Sequence, residues 1–180
     1  MKSFINRRIA EHIGAQRSKF PVLAVTGPSQ SGKTTLLKSL FPDYRYVSLE
    51  NPAVRAFAED DPVAFIAEYA DNVILDEVQR APQLFSYIQT AVDESGQMGQ
   101  FILSGSQNFH LLKSITQTLA GRVALFKLLP LDLQELSASG MLHRNIPMQR
   151  YGVFTQPSSI AISIQRFSTR TTYKHTSKRM

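Results

Sequence analysis

Several absences exclude whole classes of protein before any motif is considered. The 180-residue chain has no cysteine, so it is neither a disulfide-stapled secreted scaffold nor a zinc–cysteine module. No apolar run approaches the roughly 18 residues of a membrane span, and the longest early one, FPVLAV, is too short and too late for a signal peptide. The four histidines show no pair at metal-ligand spacing. We therefore expect a cytoplasmic protein with no membrane partner and no structural metal.

Acidic residues are also missing, but only from the end of the chain. The last acid is Glu135, whereas seven basic residues follow residue 141. The net charge of +6 therefore belongs to the end of the sequence and not to the part before it. Twelve of residues 151–180 are Ser, Thr or Gln, which predicts a basic, poorly ordered tail over residues 141–180. Such a tail can bind nucleic acid through phosphate contacts, or it can be merely solvated.

Between residues 21 and 140, strand patterns alternate with helix patterns. The predicted strands are VLAVT (22–26), YRYVSLE (44–50), NVILDE (72–77), QFILS (100–104) and VALFKLL (123–129). The predicted helices are KTTLLKSLF (33–41), Pro62 to about Tyr69, QLFSYIQTAVDE (83–94) and HLLKSITQTLA (110–120), with an amphipathic helix over 3–16 at the domain edge, in an N-terminal segment 1–20. Alternating strands and helices imply parallel crossovers. The sequence therefore predicts an α/β domain over residues 21–140, a three-layer sandwich with a mainly parallel sheet.

The segment GPSQSGKT (27–34), the phosphate loop, lies between the first predicted strand and the helix after it. It matches the phosphate-binding pattern G-x-x-x-x-G-K-[ST] in the strand–loop–helix context that this pattern requires. Its glycines let successive N–H groups face a phosphate, Lys33 supplies a positive charge, and Thr34 offers a hydroxyl to Mg²⁺. A chance glycine-rich turn is the alternative. The residues expected to bind nucleotide are Gly27, Pro28, Ser29, Gln30, Ser31, Gly32, Lys33, Thr34, Thr35 and, from a later strand end, Gln107.

Two adjacent carboxylates end the buried strand pattern NVILDE. The apolar residues before them bring Asp76 to the carboxyl end of the strand, where ligands bind in open α/β sheets. Asp76 is expected to hold Mg²⁺ through water, and Glu77 to orient and polarise an attacking water. Buried carboxylates are costly unless a cation or a substrate uses them. The alternative is that both acids simply meet solvent at the strand end.

The segment FILSGSQN (101–108) contains LSGSQ, which is close to the LSGGQ box of ABC transporter ATPases. In those proteins the box precedes the Asp-Glu strand and lies in a helical subdomain, whereas here it follows that strand and ends an apolar run. The order therefore excludes the ABC interpretation. We expect instead that Ser106 and Gln107 end a strand between the phosphate-loop strand and the Asp-Glu strand and act as a polar sensor of the γ-phosphate. An ordinary strand-to-helix turn is the alternative.

Arg122, in LAGRV, is the remaining catalytic candidate. An arginine here can stabilise transition-state charge on its own nucleotide or on that of a neighbouring subunit, or it can pair with a surface acid. The sequence leaves these alternatives open. Asp61 is expected to cap the helix that begins at Pro62. Glu50 and Arg80 are either an ion pair or neighbours of the site.

Several segments resemble one family when they are taken together and in order. VTGPSQSGKTTLL, YVSLENP, VILDEVQRAPQLFSYIQ, FILSGSQ, LAGRV and LPLDLQEL are similar to segments of AAA-superfamily ATPases of bacteria and archaea that are usually described only as ATP-binding proteins. The resemblance covers about residues 5–140 and implies a RecA-like P-loop core that uses ATP and Mg²⁺. It implies that the nucleotide is bound by Gly27, Gly32, Lys33 and Thr34. It also implies that Asp76 handles Mg²⁺ and that Glu77 activates water.

The leading functional prediction is Mg²⁺-dependent ATP hydrolysis or an ATP-driven switch that acts on a protein or nucleic-acid target, with a homo-oligomer as a possible assembly. Lys33, Glu77 and Arg122 are the predicted catalytic residues. A small-molecule P-loop kinase would need an arginine-rich lid, which the body of the sequence does not show. A GTPase would need an Asn-Lys-x-Asp guanine reader, which is absent. A truncated domain that binds nucleotide without turnover stays open as the non-enzymatic alternative.

Overall fold

The fold is a parallel α/β sandwich built around one sheet. The structure, a computed structural model, describes residues 5–106 and 109–139. The strands are β1 (Val22–Gly27), β2 (Arg45–Ser48), β3 (Val73–Asp76), β4 (Phe101–Ser106) and β5 (Val123–Lys127). The helices are α1 (Ala10–Gln16), α2 (Lys33–Leu40), α3 (Pro52–Asp60), α4 (Pro62–Glu68), α5 (Leu84–Ser95), α6 (Phe109–Thr118) and α7 (Leu133–Ala138), and a 3-10 turn covers Val78–Arg80.

The five strands form one sheet in the order β2-β3-β4-β1-β5, and all of its pairings are parallel. This confirms the predicted parallel sandwich. Phe101 of β4 is opposite Val22 of β1 on one side and Val73 of β3 on the other, so β4 lies between them as expected. Because every strand points the same way, the sheet has a carboxyl edge, where β1, β3 and β4 end, and an amino edge, where they begin.

Two apolar cores cover the two faces of the sheet. Alternate residues of β1 point to opposite faces, so Val22 belongs to the first core and Leu23 to the second. The first core is closed by α4, α5 and α6, with Phe85 fully buried. The second core is closed by α1 and α2, with Ile13 and Leu37 fully buried. The three layers follow from this division, and each face of the sheet is covered by helices.

The N-terminal helix is shorter than predicted. α1 begins at Ala10 instead of residue 3, and residues 5–9 are not helical. Its apolar side still packs as expected, since Ala10 and Ile13 are buried in the second core. The non-helical residues before it run along the phosphate loop and α7, where Arg7 is buried.

The sequence patterns did not predict α3, which follows a strand predicted too long. β2 ends at Ser48, and Asn51 begins α3 by accepting a hydrogen bond from the Ala53 N–H at 3.0 Å. The capping role predicted for Asp61 is confirmed, because its side chain accepts from the Ala64 N–H at 2.9 Å. No helix within the described ranges is long and apolar enough to cross a membrane. The predicted domain end near Gly140 and the predicted tail lie outside the described residues.

Candidate functional site

The phosphate loop curls at the carboxyl edge between β1 and α2. Gln30 and Gly32 both have positive φ, 62° and 89°, and Gly32 immediately precedes the first turn of α2. Gly27 lies so close to the chain after β5 that an added Cβ would stand 2.2 Å from the Leu128 carbonyl oxygen. Only glycine fits this approach. The loop therefore has the left-handed turns and the tight strand exit that a curled, backbone-lined cradle requires.

The predicted nucleotide-binding residues differ in exposure along the loop. Pro28, Ser29, Gln30, Gly32 and Thr35 are exposed, whereas Gly27, Ser31 and Lys33 are buried and Thr34 is half-buried. The backbone of the loop is thus open to solvent on one side and supported by buried residues on the other. Such a loop can receive a ligand without unfolding.

Lys33 places one buried positive charge on this loop. Its Nζ donates to the carbonyl oxygens of Gly27 and Pro28, both at 3.0 Å, and only 6% of the residue is exposed. These two carbonyls lie at the beginning of the loop, so the side chain of Lys33 folds back over the loop's whole length. The ammonium therefore lies against the backbone that would surround a phosphate, where a fixed cation stabilises negative charge.

Thr34 and Asp76 meet across the boundary between α2 and β3. The Thr34 hydroxyl donates to Asp76 Oδ2 at 2.8 Å. The two residues are 42 positions apart in the chain, and Asp76 is 5% exposed. Their contact brings together a hydroxyl oxygen and a carboxylate oxygen, the donor types that Mg²⁺ prefers in proteins. The described residues hold no cluster of three or more His, Cys, Asp or Glu side chains suited to a metal.

Tyr46 is a member of this group that the sequence reasoning missed. Its hydroxyl donates to Asp76 Oδ2 at 2.7 Å. Burial, reinforced by the Asp76 carboxylate, raises the pKa of Tyr46 to about 12, so the phenol stays a donor at neutral pH. The signal was available in the strand pattern. Ser48 of β2 is opposite Asp76 and Tyr46 precedes it by two residues, which places Tyr46 and Asp76 on one face of the sheet.

Strand geometry ends at Asp76, and Glu77 has a different backbone conformation. Its φ is +59°, a left-handed value that begins the 3-10 turn, and its N–H bonds to Asp76 Oδ1 at 3.2 Å. The Gln79 side-chain amide donates to Glu77 Oε2. Gln79, like Tyr46, was not among the predicted site residues. Asp76 and Glu77 therefore have different side-chain partners: Thr34 and Tyr46 donate to Asp76, and Gln79 donates to Glu77.

The end of β4 reaches the same edge. Ser106 is opposite Gly27 in the register of β1 and β4, at the first residue of the phosphate loop. Three buried side-chain atoms near this edge have no hydrogen-bond partner among the described residues: Ser31 Oγ, Gln79 Oε1 and Ser104 Oγ. Gln107, the predicted sensor, lies outside the described residues.

Arg122 lies at the amino edge, away from the phosphate loop of its own chain. Its carbonyl accepts from the Val22 N–H at 3.1 Å, at the beginning of β1, whereas the phosphate loop begins at the other end of that strand. At about 3.3 Å per residue the two ends are roughly 16 Å apart. This distance favours the alternatives to a role on the nucleotide of its own chain, and that role stays an untested prediction. A role on a neighbouring subunit stays a prediction.

Arg122 has a partner of the kind predicted as its alternative, a surface acid. Its Nε and Nη2 donate to the two carboxylate oxygens of Asp93 at 2.5 and 2.7 Å. Hydrogen bonding to Arg122 holds the pKa of Asp93 below its usual value, and the same bond raises the pKa of Arg122. Glu50 and Arg80 also form an ion pair, at 3.5 Å, and both side chains are exposed.

Comparison with known proteins agrees with this geometry. A family model described as an AAA domain matches residues 19–137. Over 122 residues the chain is 34% identical to an uncharacterized protein of Mycobacterium tuberculosis and equally to one of Mycobacterium bovis. Each match covers 66% of this chain and 27% of the relative. The chain thus spans about a quarter of the length of the curated relatives it matches.

Solved structures show the same fold at low sequence identity. The Walker-type ATPase PABY2304 of Pyrococcus abyssi has a TM-score of 0.52 and 15% identity, covering 83% of this chain and 62% of that one. The signal-transduction ATPase PH0952 of Pyrococcus horikoshii, which carries a tetratricopeptide repeat sensor, has a TM-score of 0.51 and 12% identity, covering 84% and 27%. The fold, the phosphate loop and the family match lead to one conclusion: the chain belongs to the AAA domain family and contains a P-loop domain of the AAA ATPase type.

Proposed function

We propose that this domain binds ATP together with Mg²⁺ at the phosphate loop and hydrolyses it. The hydrogen bond between Thr34 and Asp76 carries the proposal. The contact joins a threonine of the loop to a buried aspartate at the end of β3, 42 positions away in the chain. Their contact supports a shared task, because P-loop ATPases hold Mg²⁺ with a loop hydroxyl and a strand-end carboxylate.

The donor set of this pair fits the metal. Mg²⁺ takes oxygen ligands and keeps several waters, so one hydroxyl and one carboxylate from the protein suffice alongside the phosphates. Thr34 and Asp76 would hold the ion, and the ion would neutralise charge that develops on the phosphates. Tyr46 supports the same carboxylate from the β2 side and keeps its oxygen directed toward Thr34.

The loop itself would bind the phosphates. N–H groups at the beginning of α2 carry the positive end of the helix dipole, which favours an anion. Lys33 adds a full positive charge to the β and γ phosphates. On binding, the ammonium would exchange its two carbonyl partners for phosphate oxygens, which are charged and therefore stronger acceptors.

Hydrolysis requires a group that orients water, and Glu77 is the residue proposed for it. Its carboxylate is half-buried at the end of β3 and bonded to the Gln79 amide. The carboxylate has further lone pairs, so it can accept a hydrogen bond from a water as well. Gln79 would then fix the direction of Glu77, while Glu77 would take the proton of the attacking water or polarise it.

A second function, nucleotide binding without turnover, is favoured by the hydrogen bond between the Gln79 amide and Glu77. If the Gln79 amide keeps Glu77 turned away from the γ-phosphate, the domain would act as a nucleotide-dependent switch. Arg122 would not compensate within the chain, since it lies at the amino edge. Turnover would then require a neighbouring subunit or another partner.

The target of such an activity is proposed to be a macromolecule, either protein or nucleic acid. In the mycobacterial relatives the matching segment makes up 27% of the chain, so the ATPase domain is joined there to much further sequence. ATP binding would change the arrangement of this domain relative to what it acts on. A cytoplasmic location and a homo-oligomer, with Arg122 directed at a neighbour's nucleotide, belong to the same proposal.

Two measurements on the unmutated protein test the proposal. Calorimetric titration with ATP is done with Mg²⁺ and again with EDTA, and single-turnover hydrolysis is followed with labelled ATP. We expect binding that weakens when Mg²⁺ is removed, followed by release of phosphate. Binding without hydrolysis would favour the switch over the ATPase. The absence of any binding would mean that the loop is not a nucleotide site.

A further inference from the structure

Arg7 and Lys33 are the two basic residues buried within the part of the chain that the structure describes. Lys33 belongs to the phosphate loop, but no functional pattern includes Arg7, which lies before α1. Its guanidinium has four contacts. Nε donates to both carboxylate oxygens of Glu135 at 3.1 Å, Nη1 donates to the Ser31 carbonyl at 2.8 Å, and Nη2 donates to the Leu129 carbonyl at 2.5 Å. One side chain thus joins the N-terminal segment, the phosphate loop and the chain around α7.

Glu135 holds this guanidinium in place. A buried arginine is costly unless a counter-charge and hydrogen bonds compensate it, and Glu135 supplies both. Glu135 is itself fixed, because it is the third residue of a capping box with Asp132 and also accepts from the Arg8 N–H at 3.0 Å. The position of the Arg7 side chain is therefore set from the α7 side, independently of the loop.

The contact with Ser31 falls between two loop residues that have positive φ. Gln30 and Gly32, on either side of Ser31, both have positive φ, so no regular structure sets the direction of the Ser31 carbonyl. A trans peptide directs its C=O and the following N–H to opposite sides. When Arg7 holds the Ser31 oxygen, the Gly32 N–H points away from Arg7 and toward the other side of the loop.

We propose that Arg7 is a positioning residue for the phosphate loop, which it orients through the Ser31 carbonyl, and that Glu135 holds Arg7 for this task. The proposal rests on the proposed function, because the Gly32 N–H is meant for a phosphate of ATP. Arg7 itself touches no ligand. Lysine would not replace it, since a single ammonium cannot reach three acceptors in the fixed directions of a guanidinium.

The test compares four variants of the full chain. Arg7→Met removes the contacts and Arg7→Lys keeps the charge. Glu135→Gln keeps an acceptor and the capping box but removes the counter-charge. Arg8→Ala is the matched control, because Arg8 is in the same segment but its side chain is half exposed and pairs with Asp132 at 3.8 Å.

The first measurement needs no nucleotide. Hydrogen exchange is followed in residues 27–36, which contain the loop, and in residues 22–26 of β1. We expect Arg7→Met and Glu135→Gln to raise exchange several-fold in 27–36 and leave 22–26 unchanged, and Arg8→Ala to change neither. An equal rise in both segments would mean that Arg7 only stabilises the fold. Unchanged exchange in 27–36 would also overturn the proposal.

The second measurement is the affinity for ATP with Mg²⁺ and, where turnover occurs, KM and kcat. We expect Arg7→Met to weaken affinity and raise KM about tenfold with little change in kcat, the effect of one charge-assisted hydrogen bond. Arg7→Lys should have a smaller effect and Arg8→Ala none. Equal affinities in all variants would overturn the proposal. If the unmutated protein binds no ATP, the proposed function fails and hydrogen exchange alone decides the role of Arg7.

Discussion

Buried polar groups at the two edges of the sheet differ in how completely they are hydrogen-bonded. At the amino edge they pair with one another: the Tyr44 hydroxyl bonds to the Gly99 carbonyl at 2.6 Å, and Gln100 bonds to the Ala70 carbonyl and the Ser95 hydroxyl. At the carboxyl edge, buried polar atoms of Ser31, Gln79 and Ser104 lack partners among the described residues. Such atoms are costly to leave unpaired, so we expect ordered water or a bound ligand to complete their hydrogen bonds.

The Arg122–Asp93 pair at the amino edge also differs in its charge pairing from Lys33 and Asp76 at the carboxyl edge. The Arg122–Asp93 pair at the amino edge is partly exposed, with 32% and 46% of the two side chains accessible, and the two charges neutralise each other. At the carboxyl edge the charges of Lys33 and Asp76 are buried, and each bonds to neutral groups of the protein instead of to an opposite charge. Buried charges without a counter-charge are available to ionic ligands. The comparison therefore predicts strong effects of carboxyl-edge mutations on ligand binding and weak effects of amino-edge mutations.

The largest effect is expected for Lys33→Ala. Removing the one cation fixed on the loop should lower ATP affinity below calorimetric detection, because nothing else in the loop offers a full positive charge to the phosphates. Lys19→Ala is the matched control, since Lys19 is exposed and lies before β1 at the amino edge. Equal ATP affinity in Lys33→Ala and the unmutated protein would break the comparison between the edges.

The next effect separates the two carboxylates. Glu77→Gln should keep ATP bound and stop hydrolysis, because the amide cannot accept a proton from water. Asp76→Asn should instead weaken the dependence of ATP binding on Mg²⁺. Titrations with and without Mg²⁺, paired with single-turnover assays, measure both. The assignment of roles fails if the two variants lose ATP binding to the same extent.

A smaller effect is expected for Tyr46→Phe. Loss of the bond to Asp76 should cost about 1 kcal/mol of stability and lower Mg²⁺-dependent ATP affinity only a few-fold, since Thr34 still bonds the same oxygen. The variant also has a pH signature. Because the pKa of Tyr46 is raised to about 12, its contribution to the free energy of unfolding is present below pH 10 and is lost as pH rises toward 12.

Denaturant unfolding without Mg²⁺ from pH 8 to the highest pH at which unfolding is reversible measures this contribution. The difference in unfolding free energy between the unmutated protein and Tyr46→Phe should shrink as pH rises. A difference that stays constant would mean that the pKa of Tyr46 is not raised in the folded protein. Tyr44 is common to both proteins, so its own raised pKa cancels in the comparison.

The smallest effect is expected at the amino edge. Arg122→Ala should leave ATP affinity unchanged and remove only the contribution of an exposed ion pair. Since the pKa of Asp93 is lowered from 3.8, this contribution is present above that pH and is lost as pH falls below it. Unfolding of Arg122→Ala and the unmutated protein at pH 7 and pH 3 tests the sign. A loss of hydrolysis with intact ATP affinity would instead support a role of Arg122 on a neighbouring subunit.

Local patterns predicted the carboxyl edge well. The phosphate loop and the Asp-Glu pair are short, contiguous segments whose geometry follows from one strand and one turn. The apolar run 101–104 predicted a buried strand, and β4 lies inside the sheet between β1 and β3. Contacts between distant segments were not predictable in this way. Arg7 meets Glu135 across 128 positions, and no periodic signal connects the two segments. Strand alternation places Tyr46 and Asp76 on one face only once the register of β2 and β3 is known.

Two local predictions failed for identifiable reasons. α3 is only nine residues long, most of them are exposed and Ala58 alone is buried, so it contains no long apolar run, and Asn51 and Pro52 indicate where it begins. The strand predicted over residues 72–77 ends at Asp76, because Glu77 adopts a left-handed conformation and begins a 3-10 turn. Non-glycine residues rarely adopt this conformation, and a glutamate in the sequence does not predict it.

Hydrogen exchange with and without ATP and Mg²⁺ tests the central claim most directly, because it reports both edges in one experiment. The account predicts slower exchange on nucleotide addition in three carboxyl-edge segments: residues 27–36, residues 76–80 and the end of β4. Residues 95–100 and 119–122 at the amino edge should exchange as before. Protection of the amino edge, or no protection anywhere at saturating ATP, would contradict the placement of the nucleotide site.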